Sequence, residues 1–433
     1  MIPCYNVISS FGVVRQYEPL SGFICQKEAN MGRQDGLNRR AFLKIGLAST
    51  ASAILCRNRI SDAAQYASDE NTQFAFPKPV YRTLGKTGLK ITVVSFGAML
   101  TPEPEVIRIA VDHGLNYIDT ARKYMGGKNE DVVGRAIKGI REKVTIATKT
   151  LPTSQAREDI VRDVESSLKA LGTDYIDVIQ LHNLSDKQRV YIAETREALI
   201  RLREQGKVRF FGVTTHKNQA EVLNAIVNDQ DRFFDTALVA YNFKSDKDVA
   251  EAIEKAAKAG IGIIAMKTQA GGYETKELGE ISPHQAALKW ALQNKYVAAA
   301  IPGMKDLSQL KEDIAVMGMP FTYADANILQ HYNAGIRDFY CRFCGKCESS
   351  CTEKVDISAV SRALMYAEGA YNNRKLALST YREIPSAFSA NACTACAAKD
   401  KYGACVARCV NGLDIASRMA RARNIFSADE LDV

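Results

Sequence analysis

The chain has 433 residues, 46% of them hydrophobic and 24% charged, which is typical of a soluble globular protein. This length allows one large domain and a smaller second one. The formal net charge is +8, but residues 31–60 hold six basic side chains against Asp35 alone. The rest of the chain is close to neutral and lacks the basic stripe that nucleic-acid binding needs.

The basic segment reads NRRAFLKIGLASTASAILCRNR. In it, Arg39-Arg40 precede an uncharged run from Ile45 to Cys56, which is too short to span a bilayer as a helix. The segment resembles a twin-arginine export signal, which moves proteins already folded around their cofactors; an amphipathic surface helix is the alternative. The resemblance implies the export machinery as a partner and a periplasmic or cell-envelope location, or a cytoplasmic one if the signal is not used. We expect no transmembrane helix.

We expect four segments along the chain. Translation beginning at Met31 would give the signal a short charged start, so residues 1–30 are expected to be untranslated or disordered. Residues 31–75 would form the signal and a linker. We expect a barrel over residues 76–325 and a small domain over 326–433, because strand-like runs then stop and cysteines appear.

Short β-branched runs alternate with segments whose apolar residues recur three and four apart, as in REDIVRDVESSLKALG. The runs are VVSFGA (93–98), YIDTA (117–121), VTIATK (144–149), YIDVIQLH (175–182), RFFGVTT (209–215), TALVAYN (236–242), GIGIIAMK (260–267) and AAAIPG (298–303). Eight alternations predict an α/β fold, a (β/α)8 TIM barrel. A doubly wound sheet is disfavoured, because no Gly-x-Gly-x-x-Gly follows an early strand. Ahead of the barrel, YRTLGKTGLKITVV predicts a hairpin with turns at Gly85 and Gly88.

Four polar residues follow successive predicted strands, at the end of a barrel where catalytic groups stand. They are Asp119, Tyr124, Lys149 and His182. Each alone is readily explained as a solvated or structural side chain. Together, in this order, they indicate an active site.

The chain resembles the aldo/keto reductase superfamily over roughly residues 80–315. The resemblance rests on YRTLGKTGLK, NYIDTARKYMGGKNEDVVGRAIKG, VTIATKT and DYIDVIQLH. It implies that Tyr124 protonates a carbonyl oxygen as hydride reaches the carbon, with a small carbonyl or alcohol as substrate. The chemistry agrees, because a phenol of pKa ~10 needs a neighbouring cation to act as an acid at neutral pH. Lys149 can supply that charge, Asp119 can hold Lys149, and His182 can orient the carbonyl.

The same resemblance implies NADP(H) or NAD(H) as cofactor. VAAAIPGMKDLSQLKEDI is similar to the family's nucleotide-binding segment, although Gly303 and Gln309 stand where many members have basic residues. Thr214-Thr215 replace the usual Ser-Asn, Leu238 replaces a glutamine, and Met266 replaces a stacking tyrosine. The expected cofactor-binding residues are Thr214, Thr215, Met266, Lys267, Pro302, Gly303, Lys305, Gln309, Glu312 and Asp313.

Eight cysteines fall in two blocks near the end of the chain. The first is Cys341-x2-Cys344-x2-Cys347-x3-Cys351, and the second is Cys393-x2-Cys396-x8-Cys405-x3-Cys409. Three cysteines at successive x2 spacings can hold three corners of one cubane, and a zinc knuckle needs only one such pair. The second block alone is equally compatible with zinc, and disulfides are a further alternative.

The first block is similar to bacterial two-cluster ferredoxins. That resemblance implies two 4Fe–4S clusters in a small, mostly helical domain. The fourth cysteine of each block would serve the other block's cluster: Cys341, Cys344, Cys347 and Cys409 hold one, and Cys393, Cys396, Cys405 and Cys351 hold the other.

The whole chain then resembles the iron–sulfur subgroup of aldo/keto reductases. We expect an oxidoreductase that joins hydride chemistry to single-electron transfer, with a redox partner protein. One alternative is an electron-transfer or interaction protein on a catalytically degenerate barrel. The other is a simple reductase whose last domain is held by zinc.

Overall fold

A computed structural model describes residues 76–150, 156–274, 282–369, 371–397 and 404–426, all within one compact unit. The sequence-based expectations for residues 1–75, the export signal among them, lie outside the described residues. Across the described residues, no helix combines the length and the apolar character that crossing a membrane requires.

The predicted hairpin is present ahead of the barrel. Strand β1 (Tyr81–Thr83) pairs antiparallel with β2 (Lys90–Thr92). Between them, Gly85 has a φ of +52°, and a Cβ there would lie 2.3 Å from the backbone N of Gly262. Glycine therefore lets the hairpin press against the start of a barrel strand, with Leu84 fully buried beside it.

Eight parallel strands form the sheet, paired in chain order. They are β3 (Phe96–Gly97), β4 (Tyr117–Asp119), β5 (Thr145–Thr150), β6 (Ile176–Leu181), β7 (Val208–Thr215), β8 (Thr236–Ala240), β9 (Gly262–Met266) and β10 (Ala299–Ala300). Parallel bridges Val94↔Ala300 and Gly97↔Gly303 join the first strand region to the last. The sheet therefore closes on itself, and the predicted barrel is confirmed.

Eight helices follow the barrel strands in turn. They are α1 (Pro104–Asp112), α2 (Asn129–Ile137), α3 (Arg157–Leu171), α4 (Ala193–Glu204), α5 (Gln219–Val227), α6 (Lys247–Lys258), α7 (Pro283–Leu292) and α8 (Leu307–Ile314). Each turns an apolar stripe inward, such as Ile160, Val164 and Leu171 on α3, as the period of about 3.6 residues requires. Because these stripes pack on the strands, the main hydrophobic core lies between the strands and the helices.

The described residues after the barrel form helices and short turns, with no strand among them. The helices are α9 (Tyr323–Gly335), α10 (Ile357–Glu368), α11 (Arg374–Arg382), α12 (Cys393–Ala397), α13 (Ala404–Ala407) and α14 (Ile415–Ile425). We call the described residues from 323 to 426 the cysteine-rich region. The predicted domain boundary falls inside α9, which packs on barrel helix α7.

The cysteine-rich region contains a short internal repeat. CTEKVDI begins at Cys351, and CVNGLDI begins at Cys409. In both copies the cysteine sulfur accepts a hydrogen bond from the backbone N–H four residues on, at 3.3 Å. In both, the aspartate caps the helix that follows, α10 or α14. Two similar turns therefore start the two long helices that pack on each other.

Polar contacts hold the cysteine-rich region to the barrel. Asn242, which follows β8, donates to the Tyr340 hydroxyl at 2.9 Å, one residue before Cys341. Beside it, Lys244 Nζ donates to Asn333 Oδ1 at 2.5 Å. Arg342 pairs with Asp246. The first cysteine block is therefore anchored on loops at the carboxyl end of the barrel strands.

Replacing Gly134 with alanine should destabilise the protein, although alanine normally favours a helix interior. A Cβ at Gly134 would lie 2.6 Å from Ala170 O and 2.8 Å from Leu171 O, both backbone atoms of α3. Helix α2 would have to move away from α3, at a cost of about 1–3 kcal/mol. Urea unfolding should show a lower midpoint with the slope unchanged.

The exposed Lys169→Ala change on α3 is the control, and it should leave the free energy of unfolding within about 0.5 kcal/mol of the parent's. An unchanged or raised midpoint for Gly134→Ala would show that the two helices are not in the contact described.

Candidate active site

A buried ion pair lies at the carboxyl ends of β4 and β5. Lys149 Nζ is 2.5 Å from Asp119 Oδ1, and the two side chains are 1% and 3% exposed. The ammonium also donates to Thr120 O at 2.7 Å, and Gln180 Nε2 donates to Asp119 Oδ2 at 2.9 Å. Adjacent parallel strands bring these groups together, because their ends meet at one edge of the sheet.

Tyr124 and His182 stand beside this pair. The Lys149 ammonium lies 4.8 Å from the centre of the Tyr124 ring, and the Tyr124 and His182 rings meet edge to face at 6.1 Å. Asp119, Tyr124 and His182 line one cavity of about 470 Å³. The four residues expected at the active site therefore lie together: three of them line one cavity, and Lys149 is paired with Asp119 beside it.

The backbone after Tyr124 adopts an unusual conformation that sets the position of the ring. Met125, Gly126 and Gly127 have φ values of +54°, +65° and +91°. Three consecutive residues in the left-handed region turn the chain sharply into α2. Two of them are glycines, which adopt this conformation without a steric penalty. The first residue of α2, Asn129, accepts from the Thr120 hydroxyl at 2.7 Å and donates to Ala98 O at 2.7 Å. The segment that carries Tyr124 is therefore fixed at both ends to barrel strand ends.

The environment keeps Tyr124 protonated and His182 neutral. Burial raises the pKa of the Tyr124 phenol well above its usual value, Asp119 raises it further, and Arg362 opposes both. The Lys149 charge alone would be expected to lower the pKa of Tyr124. The pKa is raised instead, because burial of the phenol has a larger effect than the nearby positive charges. Burial, followed by the Lys149 charge, lowers the pKa of His182 well below its usual value. Burial also lowers the pKa of Lys149, which Asp119 partly offsets.

Most of the residues expected to bind the cofactor line the same cavity. They are Met266, Lys267, Pro302, Gly303, Lys305, Gln309, Glu312 and Asp313. Gln309 Oε1 accepts from the backbone N–H of Lys305 at 2.8 Å, and Asp306 caps α8. Burial, followed by the neighbouring Glu312 charge, raises the pKa of Asp313 well above its usual value.

Thr214 and Thr215 do not line the cavity. Both are fully buried at the end of β7. The Thr214 hydroxyl accepts from the backbone N–H of Asn183 at 2.7 Å, and the Thr215 hydroxyl donates to Lys217 O at 2.9 Å. Their expected contact with the nicotinamide carboxamide stays a prediction.

One wall of the cavity comes from the cysteine-rich region, which the sequence did not indicate. Its contributions from α10, α11 and the turn between them are Arg362, Tyr366, Tyr371, Asn372, Asn373, Leu376, Ser379, Thr380 and Glu383. Lys267 Nζ donates to the hydroxyls of Tyr366 and Tyr371, at 2.8 and 3.4 Å. Lys123, next to Tyr124, pairs with Glu383 at 3.1 Å. No local pattern marked these residues, because their role depends on how two distant segments pack.

The eight cysteines fall into two neighbouring sets. Burial raises the pKa of the Cys347 thiol, and the nearby Cys341, Cys409 and Cys344 raise it further. In the second set, burial raises the pKa of Cys393 to about 11, with Cys351, Cys405 and Cys396 adding to it. Each block therefore has the last cysteine of the other block as a neighbour. All eight thiols are free.

Helix α14 places an arginine beside each set. Arg418 is 6% exposed, and its Nε and Nη2 have no hydrogen-bond partner. Its charge opposes the effect of burial on the pKa of Cys341, which is raised to about 11. Arg423 has a buried Nη1 without a partner, and its charge acts in the same way on Cys393. In the part of the chain that the structure describes, no three His, Cys, Asp or Glu side chains are grouped so as to hold a single metal ion.

Comparisons with known proteins agree with this geometry. The sequence profile of the Aldo/keto reductase family matches residues 103–280. The aldo-keto reductase YhdN of Bacillus subtilis is 38% identical over 155 residues, which are 31% of this chain and 46% of that protein. The methylglyoxal reductase YeaE of Escherichia coli is 28% identical over 240 residues, 52% of this chain and 83% of its own length. The chain thus spans about half of the first relative and most of the second.

A solved structure shares the barrel. The aldo/keto reductase from Klebsiella pneumoniae, in complex with NADP and acetate, is 25% identical, with a TM-score of 0.50. The likeness covers 59% of this chain and 95% of that one. The family profile, the named reductases and the Asp119–Lys149–Tyr124–His182 geometry all point the same way. The chain is thus similar, in sequence and in fold, to reductases of the aldo/keto reductase family.

Proposed function

We propose that the barrel carries out NAD(P)-linked reduction of a small carbonyl compound, or oxidation of the matching alcohol, and that the cysteine-rich region holds two 4Fe–4S clusters for electron transfer. The observation that carries the first part is the cavity that Tyr124, His182 and the Lys149–Asp119 pair surround. The second part rests on the two sets of neighbouring cysteines.

Tyr124 is the proposed proton donor. A nicotinamide bound in the cavity would supply the hydride to the carbonyl carbon, and Tyr124 would give its proton to the carbonyl oxygen. The raised pKa keeps that proton on the phenol until the oxygen becomes basic. Lys149 then stabilises the phenolate, and neutral His182 donates a hydrogen bond to the same oxygen. In the reverse direction the phenolate would take the proton from an alcohol.

The α8 side of the cavity is the proposed nucleotide site. The Klebsiella pneumoniae neighbour was solved with NADP, and the sequence from β10 to α8 is where the family resemblance implies nucleotide binding. Lys305 and Gln309 lie on this side of the cavity, and the Lys305 backbone N–H donates a hydrogen bond to the Gln309 side chain. A 2′-phosphate would find the Lys305 ammonium there, which favours NADP(H) as the cofactor.

Two features of the cysteine-rich region fit 4Fe–4S clusters. Backbone N–H groups of Val355 and Leu413 already point at the sulfurs of Cys351 and Cys409, and such bonds stabilise cluster thiolates. Arg418 and Arg423 leave buried N–H groups without partners beside the two sets. Buried donors of this kind cost free energy unless an acceptor is present. An anionic cluster in each set would supply one.

A second candidate function is an electron-transfer or interaction protein whose barrel no longer turns over. The observations that favour it are the buried Thr214 and Thr215 hydroxyls, which already have partners inside the protein, and Leu238, which is fully buried in the barrel interior. Activity of the parent protein and its loss in a Tyr124 variant separate the two candidates.

Changing Tyr124 to phenylalanine should lower carbonyl reduction by about 10²-fold or more, because the general acid is lost while the ring remains. The measurement is steady-state reduction of a panel of aldehydes and ketones with NADPH, under anaerobic conditions. Tyr191→Phe removes a hydroxyl that donates to Ala225 O, outside the cavity lining, and should retain activity. If Tyr124→Phe reduces every substrate as fast as the parent, Tyr124 is not the acid.

Protein purified without oxygen should contain about eight iron and eight acid-labile sulfide per chain, the content of two 4Fe–4S clusters. Elemental and sulfide analysis of the full chain measures this directly. Two tightly bound zinc ions without sulfide would replace the electron-transfer proposal with a structural one. Four iron would identify a single cluster.

Arg418→Gln should lower the reduction potential of the cluster held by Cys341, and Arg423→Gln should lower that of the cluster held by Cys393. Removing a buried cation makes the extra negative charge of the reduced cluster less stable, by on the order of tens of millivolts. Potentiometric titration followed by electron paramagnetic resonance resolves the two clusters. Potentials that stay unchanged in both variants would show that neither guanidinium lies against a cluster.

A further inference from the structure

Arg362 brings a positive charge from the cysteine-rich region to the catalytic end of the barrel. It lies on α10, half-buried, and lines the cavity together with Tyr124 and His182. Its Nη1 donates to Asn183 Oδ1 at 3.1 Å. The same oxygen is 3.0 Å from His216 Nδ1, and Asn183 itself has a φ of +59°. The left-handed residue after His182 thus holds the guanidinium beside the active site.

The charge of Arg362 has no carboxylate partner among the described residues. Two other cations of the site do have one, since Lys149 pairs with Asp119 and Lys123 pairs with Glu383. A guanidinium has five N–H donors, and the bond to Asn183 uses one of them. Holding an unpaired cation in a half-buried wall costs free energy, which a bound anion would offset.

Lys267 is a second cation that has no carboxylate partner among the described residues. Its φ is +57°, and its ammonium contacts the phenol oxygens of Tyr366 and Tyr371 and no carboxylate within the described ranges. The five acidic residues that line the cavity make no ion pair with either cation: Asp119, Glu274, Glu312, Asp313 and Glu383. Two unpaired cations therefore face the cavity, one from a barrel loop and one from α10.

Two neutral hydrogen-bonding groups, Asn183 and His216, lie beside Arg362. Burial lowers the pKa of His216 well below its usual value, with the charge of Arg362 as the next cause, so its ring is neutral at neutral pH. Asn183 contributes an amide. A ligand at this wall would meet positive charge and hydrogen-bonding groups close to the hydroxyl that gives the proton.

We propose that Arg362, supported by Lys267, binds a carboxylate of the substrate, so that the enzyme acts on carbonyl compounds that carry an acid group. This specificity rests on the proposed carbonyl reduction. A planar guanidinium fork matches the two oxygens of a carboxylate, whereas an ammonium acts as a point charge. The substrate acid would be held by the cysteine-rich wall while its carbonyl meets Tyr124 on the barrel side.

Binding without turnover gives the first test. Benzoate and its neutral analogue benzamide are titrated into the full, anaerobically purified chain in the presence of NADP⁺, with calorimetry as the readout. The parent should bind benzoate more tightly than benzamide. Arg362→Gln should weaken benzoate about 10 to 100-fold and leave benzamide unchanged, the scale of losing charge-assisted hydrogen bonds. Arg201→Gln, the same change on the exposed face of α4, should behave as the parent.

Turnover gives the second test. The ortho, meta and para carboxybenzaldehydes are compared with their methyl esters, since the isomers vary the distance between acid and carbonyl. Arg362→Gln should raise KM for the best acid by about 10 to 100-fold and leave its ester unaffected. Arg362→Lys should fall between parent and Arg362→Gln, because it keeps the charge and loses the fork.

The outcomes separate this proposal from the proposed function. A parent that binds benzoate no better than benzamide overturns the carboxylate site, and this needs no variant to fold. An Arg362→Gln protein that loses NADPH affinity instead, measured by fluorescence, assigns the guanidinium to the nucleotide and also overturns it. Tyr124→Phe should bind benzoate like the parent. If the parent binds benzoate selectively but reduces no carbonyl compound, the proposed reduction fails and the anion site stands.

Discussion

The buried pair of Lys149 and Asp119 is the interaction on which the active site depends. Removing two such charges from water costs several kcal/mol for each ion, and their attraction offsets this only when the geometry is good and the remaining donors are satisfied. Here the ammonium has Asp119 and Thr120 O, and the carboxylate has Gln180 as well. Replacing a buried ion pair by apolar residues of similar volume often leaves a protein at least as stable. The charges therefore make sense as part of the proposed chemistry, in which Lys149 would stabilise a phenolate at Tyr124.

The cavity belongs to two parts of the chain at once. The barrel supplies Tyr124, His182 and the proposed nucleotide side, and the cysteine-rich region supplies another wall through α10 and α11. Contacts such as Lys267 with Tyr366 and Lys123 with Glu383 cross between the parts. A barrel without the cysteine-rich region would have an open site in which Arg362 is absent. If Arg362 binds the substrate acid as proposed, substrate choice depends on a region that the barrel alone does not contain.

Regular patterns and strand-end positions were readable in the sequence, and contacts between distant segments were not. The eight strands and the places of Asp119, Lys149 and His182 follow from alternation, because a parallel barrel sends the carboxyl ends of its strands to one side. Thr214 and Thr215 were expected at the cavity, but their hydroxyls form hydrogen bonds with the backbone of Asn183 and of Lys217. These partners come from the tertiary structure and are not visible in the local sequence. Arg362 lies on a helix without any local motif, and only packing brings it to His182. The repeat that begins at Cys351 and Cys409 is weak in the sequence, because its copies share only the cysteine, aspartate and isoleucine.

The proposed hydride transfer and the proposed clusters differ in the number of electrons that they move at one time. A hydride carries two electrons at once, whereas each 4Fe–4S cluster takes one, and the sequence has no flavin motif that would bridge the two. The cysteine blocks and the cavity are also connected by helix α10 and by hydrogen bonds, and this connection requires no electron carrier. Asp356 caps α10 five residues after Cys351, and α10 then carries Arg362 and Tyr366 to the cavity. Tyr340, next to Cys341, bonds Asn242, whose amide also donates to Lys267 O. A cluster bound by these cysteines would hold the start of α10 and the Lys267 loop in place, so it would support the cavity wall without any electron transfer.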